Sequence, residues 1–153
     1  MFATHNFDTM ITGDSTWSGC YALDPTYYLN DNIRGDGYNY IRCIKNTPIL
    51  FQTGVLVVFR QAQIICNQGS GLPLNTPEGV GQSPTVQLAW SDNTGISYEG
   101  EESAEIGKIG EYTERSIFYG LGASRNRVFK IAMTDPVPFI LVSIIIKGEA
   151  AAF

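Results

Sequence analysis

From Tyr38 onward, apolar residues recur at every second position, the spacing of strands with one covered face. Tyr40 to Lys45 predicts a short strand, stopped by Asn46, Thr47 and Pro48. Val55 to Cys66 predicts a long one, rich in β-branched residues. Strict alternation there puts Val55, Val57 and Phe59 on one face and Leu56, Val58, Ala62 and Ile64 on the other, with Gln61 and Gln63 making the later part half-exposed. Thr85 to Ser91 alternates cleanly, with Val86, Leu88 and Trp90 inward. The turn Asp92-Asn93-Thr94-Gly95 follows, where Gly95 supplies a positive φ, and Ile96 to Tyr98 begins the return strand. Tyr112 to Tyr119 predicts another strand, and Gly120 to Ser124 a turn. Arg125 to Met133 sets Arg127, Phe129, Ile131 and Met133 against Val128, Lys130 and Ala132, and Asp135-Pro136 breaks it. Val137 to Lys147 is apolar at both parities, so the pattern predicts a central strand or one buried between sheets.

Three stretches depart from this period. Residues 1–38 carry scattered aromatics, among them Trp17, Tyr27 and Tyr28, on an acidic background, which reads as an extended arm or as irregular strands and turns that dock on something. Asn67 to Pro84 is a Gly/Pro/Ser/Asn loop, long enough to expect a functional or interfacial role. Gly100 to Gly110 holds Glu101, Glu102 and Glu105; a helical turn fits, although its glycines oppose a long helix. The sum is an all-β chain of about seven or eight antiparallel strands, a sandwich or a closed barrel, with the jelly-roll-like or Ig-like sandwich favoured. The expected division is an N-terminal arm or docking segment over 1–38, a β-sandwich over 39–148, and a tail over 149–153.

Composition narrows the functions. Of 153 residues, 15 are Asp or Glu and 10 are Lys or Arg, a net charge of −5, which opposes gripping a phosphate backbone or reading a nucleic-acid sequence. The 8 Phe, 8 Tyr and 2 Trp exclude a disordered chain. Cys20, Cys43 and Cys66 form no CxxC and read as small apolar side chains in a reducing compartment. Met1 to Asp14 has neither a basic nor an apolar leader region, and the longest apolar run, Phe139 to Ile146, is far short of the ~20 residues that span a bilayer.

Chemistry-bearing patterns are sparse. His5 is the only histidine, so no catalytic triad assembles, and no P-loop, HExxH or GxGxxG occurs. No catalytic, cofactor or metal residue is assigned. The carboxylates of Glu99, Glu101, Glu102 and Glu105 read first as a solvated acidic loop and only then as a cation site or a glycosidase pair acting on cell-wall glycan. Arg115, Arg125, Arg127 and Lys130 read as ordinary cross-strand pairing or as a patch that meets the acidic face of another copy. Trp17 and Trp90 raise a carbohydrate-binding alternative, weakened because Trp90 is in phase with Val86 and Leu88. Ser91 to Tyr98 resembles a degenerate Asp-box, the turn S-x-D-x-G-x-T-W, with Asn93 at the acidic position, Ser97 at the Thr and Tyr98 at the Trp. That box is a folding device and not a catalytic one.

A more specific resemblance covers residues 35 to 148. The blocks are Gly107-Lys-Ile-Gly-Glu-Tyr-Thr-Glu-Arg115, Phe118-Tyr-Gly-Leu-Gly122, Ser124-Arg-Asn-Arg-Val-Phe-Lys-Ile131 and Thr134-Asp-Pro-Val137, with Val86 to Asp92 and Tyr40 to Pro48 upstream. In outline they run G-x-x-G-E-Y-x-x-R, L-G-x-S-R-x-R-V-F and T-D-P-V. This order resembles the C-terminal region of the tail hub, or packaged-DNA stabilisation, proteins of short-tailed bacteriophages. The resemblance implies a non-enzymatic virion protein without cofactor, assembled in the host cytoplasm. It also implies rings that close or extend the DNA channel, with partners among copies of itself and the portal, adaptor, fibre or capsid proteins. Members of that family carry a longer, propeller-like N-terminal part, and about 35 residues stand there in this sequence, so a stand-alone module such as an adaptor or capsid-decorating protein is the alternative expectation. Interface candidates are Arg115, Arg125, Arg127, Lys130, Glu101, Glu102, Glu105, Trp17, Tyr27 and Tyr28.

Overall fold

A computed structural model describes residues 3–6, 9–13, 20–23, 29–30, 39–51, 54–73 and 81–151. Trp17, Tyr27, Tyr28 and the middle of the 67–84 loop lie outside the described residues. Those described contain strands, turns and bends, and no helix long and apolar enough to cross a membrane.

In chain order the strands are β1 (Ala3–Asn6), β2 (Thr9–Gly13), β3 (Cys20–Leu23), β4 (Leu29–Asn30), β5 (Asn39–Tyr40), β6 (Cys43–Asn46) and β7 (Leu50–Phe51). They continue with β8 (Val57–Cys66), β9 (Thr85–Ser91), β10 (Glu99–Glu105), β11 (Ser116–Tyr119), β12 (Ala123–Ser124), β13 (Asn126–Met133) and β14 (Leu141–Ala150). Strands β1, β2 and β3 form an antiparallel meander, so part of the N-terminal stretch is regular strand. Strands β4 and β5 make a separate pair.

Two antiparallel sheets build the sandwich. The first is five-stranded, in the order β10-β9-β13-β6, with β7 also on β13. The second is four-stranded: β8 is central, β14 flanks one side, and β11 and β12 share the other. The core lies between them. Phe59, Ile64 and Phe118 come from the second sheet, Leu121 from the link between β11 and β12, and Val86, Leu88, Phe129, Ile131 and Met133 from the first. Phe59 meets Phe129 edge to face, centroids 5.7 Å apart. The alternation of β9 and β13 therefore places the inner residues as the pattern predicts.

Three local features depart from the pattern. In β8 the parity changes, because Phe59 shares the core with Ala62 and Ile64. The cause is a bulge: Lys147 pairs with Gln61 but the next residue, Gly148, pairs with Phe59, leaving Arg60 unpaired and re-aiming the strand. The acidic stretch is not helical; it is strand β10, held antiparallel to β9 with a register shift between Glu99 and Glu102.

The last strand is not central. β14 pairs only with β8, and its second edge is open among the described residues. Val142 is 69% exposed and Ile145 44%, while Ile144 and Ile146 turn inward. Its apolar outer positions reflect an uncovered sheet face. The strand also continues through Ala150, into the stretch expected to be a tail.

Loops are tied to the sandwich by specific bonds. Asn67 donates from Nδ2 to Pro138 O at 2.7 Å and accepts at Oδ1 from Ile140 N at 2.6 Å. Asp135 of the Thr-Asp-Pro-Val block accepts at 2.7 Å from Thr85 N, fixing the start of β9. In the Gly-Lys-Ile-Gly-Glu block, Glu111 N donates to Lys108 O while Lys108 N donates to the Glu111 carboxylate at 2.9 Å. Gly110 takes the positive φ of 87° that the third position of this turn requires.

Removing the Phe129 ring in Phe129→Ala is expected to cost about 3–5 kcal/mol of unfolding free energy in a urea titration. Val142→Lys is expected to stay within about 0.5 kcal/mol. A multi-kcal/mol loss for Val142→Lys would show that β14 is not an edge.

Candidate functional site: a buried arginine and two opposed sheet edges

Among the described residues the most chemically unusual group is Arg127, which is 2% exposed. β13 alternation aims it inward with Phe129, Ile131 and Met133, so it is a core residue that carries a charge. Its guanidinium grips Asp92 with two bonds, Nε to Oδ1 and Nη2 to Oδ2, both 2.7 Å. A further N–H donates to Leu121 O. The Phe59 ring lies 4.8 Å from the guanidinium carbon, with Trp90 at 5.6 Å and Phe129 at 5.9 Å. Arg127 is therefore withdrawn from the basic interface patch that sequence suggested, because its donors are engaged inside the sandwich.

Asp92 is placed by the hairpin turn between β9 and β10. Ser91 Oγ donates to Asn93 Oδ1 at 2.7 Å and accepts from Gly95 N at 2.9 Å. Asn93 Oδ1 also accepts from Ile96 N at 3.1 Å and Ser97 N at 2.9 Å, and Asn93 Nδ2 donates to Ser97 Oγ at 2.7 Å. Asn93 thus does the work of the acidic residue in an Asp-box, as its place in the sequence implies. Gly95 has φ 93°, and Thr94 also sits at positive φ, 62°, which completes the twist of a tight hairpin turn. Gly100 lies flat against Trp90, where a β-carbon would run into the ring. The Arg127 hydrogen bonds are the first cause of a depressed Asp92 pKa; burial pushes the other way, and the Ser124 hydroxyl and the Arg127 charge add to the depression.

The other predicted residues are spread over the surface. Glu101, Glu102 and Glu105 are exposed on β10. Glu101 accepts from Arg42 Nη2 at 3.3 Å, and the same nitrogen donates to Gln87 Oε1 at 3.1 Å. Arg115 is exposed just before β11, which runs beside β10; Ser116 Oγ donates to Glu105 O at 2.8 Å. Arg125 is exposed and donates to Gly54 O at 2.9 Å. Lys130 is half-buried, its ammonium 4.6 Å from the centroid of Tyr98. Trp90 is half-buried and packs against the core. Cys43 is exposed and free, and Cys66 is buried, which pushes its thiol pKa up. Among the described residues no group of His, Cys, Asp and Glu is arranged to hold a metal ion.

Sequence reasoning missed the opposite side. Between β6 and the start of β14 runs an apolar groove of about 220 Å³, lined by Cys43, Ile44, Lys45, Ile131, Phe139 and Leu141. The signal in the sequence is the short Tyr40–Lys45 strand, which carries two basic residues, Arg42 and Lys45.

Asp92→Asn leaves a buried guanidinium without its counter-charge. An expected loss of about 2–3 kcal/mol near pH 7 lies below the range for a fully buried pair, because the Asp92 side chain is 46% exposed. The folded pKa of Asp92 is lowered, so its stabilisation is present above the ordinary carboxylate range and fades as pH falls through the folded value. Urea titrations are expected to show the gap between wild type and Asp92→Asn closing below about pH 4. A gap that stays constant into acid would remove the ion pair from this role.

The chain was also compared with known proteins. Residues 43–149 match the family described as Bacteriophage P22 Gp10, beta-sandwich. No curated protein matches the chain. The matched span begins at the first residue of β6 and ends one residue before β14 does, so it takes in both sheets, the buried Arg127 and its Asp92 turn. This chain belongs to the Gp10 β-sandwich family of short-tailed phage tail hub proteins and is a structural component of the virion.

Proposed function

We propose that this protein is a ring-forming component of the tail hub or nozzle that helps close or extend the DNA channel after packaging. Membership of the tail hub β-sandwich family over residues 43–149 carries the reading. The charge supports it. A net charge of −5 repels a phosphate backbone and lets DNA pass without sticking. A wall of that kind needs no sequence readout and no catalytic group.

In this reading the partners are copies of the same chain and neighbouring phage proteins such as the portal or an adaptor. Trp17, Tyr27 and Tyr28 serve in the docking segment of 1–38, and exposed Arg115 and Arg125 contact neighbours. The test is immunogold labelling of purified particles with antibody against this chain. The expected label sits at a single vertex. Label spread over the capsid would replace the tail hub role with a decorating one.

A further inference from the structure

We infer that the first sheet continues from one copy to the next, with the β10 edge of one chain pairing antiparallel to the β6 edge of its neighbour; this rests on the ring-forming reading above. Strands β10 and β6 are the opposite ends of one sheet in the order β10-β9-β13-β6. Each pairs on one side only among the described residues, β10 with β9 and β6 with β13. Two different edges on opposite sides are what a head-to-tail contact needs, and repeated head-to-tail contacts close into a ring.

Charge and parity then select one register. Glu102 pairs with Leu88 and Lys45 with Ile131; Leu88 and Ile131 are both core residues, so Glu102 and Lys45 lie on the inner face at opposite edges. Placing Glu102 opposite the neighbour's Lys45 sets Ala104 opposite Cys43, again both on the inner face, because their partners Val86 and Met133 are core residues. The same register brings Glu105, on the outer face with Thr85, beside the neighbour's Arg42. Two cross-strand ion pairs thus arise with every side chain on its correct face, and such pairs are the unit of sheet stabilisation. Among the described residues Glu102, Glu105 and Lys45 have no ion pair, and Arg42 makes the long contact to Glu101 and a hydrogen bond to Gln87. Apolar surface accompanies the β6 edge, where Ile41 and Ile44 are 46% and 55% exposed. Arg115 does not serve in this contact, since it sits on the same side as the acidic strand.

The test uses the full chain in native mass spectrometry and sedimentation, with circular dichroism to confirm folding. Glu102→Lys with Glu105→Lys, and separately Arg42→Glu with Lys45→Glu, are each expected to weaken self-association by roughly tenfold or more. A 1:1 mixture of the two variants is expected to recover it, because each reversed edge then meets an opposite one. Independently, Ala104→Cys under copper–phenanthroline is expected to give a covalent ladder through native Cys43. That ladder should disappear in the added Cys43→Ser variant and should be absent for Ser103→Cys, which points to the other face. Oligomers that form normally in folded charge-reversed variants and give no 43–104 crosslink would overturn the register and leave the ring reading standing. A chain that stays monomeric alone and in purified tails would overturn both.

Discussion

A guanidinium does not lose its proton inside a protein, so burying Arg127 obliges the fold to bring a counter-charge and further acceptors to it. The groups that answer come from every part of the sandwich. Asp92 arrives on the hairpin between β9 and β10, Leu121 O on the link between β11 and β12, and Phe59 from the centre of the second sheet. Trp90 and Phe129 close the site from the first sheet. These contacts work only if the two sheets face each other in one alignment. An apolar side chain of similar volume would tolerate a slipped alignment; a forked donor with two 2.7 Å bonds to one carboxylate does not. The Asp-box-like turn gains its meaning here, because the hydrogen bonds of Asn93 and Ser91 hold the backbone that presents Asp92.

Much of this was legible in the sequence. Alternation in β9 and β13 named the inner residues correctly, and it put Arg127 in phase with Phe129, Ile131 and Met133. Charge alone suggested an exposed Arg127, and parity was the better guide. Where parity failed, it failed for local reasons. The bulge at Arg60 shifts the inward face of β8 by one residue, and nothing in Val57–Cys66 marks it, because the irregularity arises in the pairing with β14. β14 misled in the opposite way. A run apolar at both parities describes a central strand and also an edge strand whose outer face is left uncovered, and composition does not separate the two.

The surface follows a different logic from the core. Sheet edges are unpaired backbone, and proteins protect them with charge, bulges or coverage. β10 carries charge and an irregular register, so it is well guarded against pairing with a copy of itself. β14 is guarded only toward its end, by Lys147 and by Glu149, which is paired with Arg60 at 2.8 Å. Its first half presents Val142 and Ile145 to solvent, a surface that suits burial in an assembly better than life as a monomer.

This asymmetry bears on the choice between two-fold and head-to-tail association. An isologous contact through β10 would set the glutamates of one strand, Glu102 and Glu105 among them, against those of its copy, and like charges directly opposite are destabilising. One through β6 would likewise set Arg42 and Lys45 against the basic residues of the copy. The mixed contact, β10 on β6, replaces both repulsions with attraction. The charges that oppose the two-fold pairings therefore favour the propagating one, and specificity comes as much from the contacts they forbid as from the one they permit.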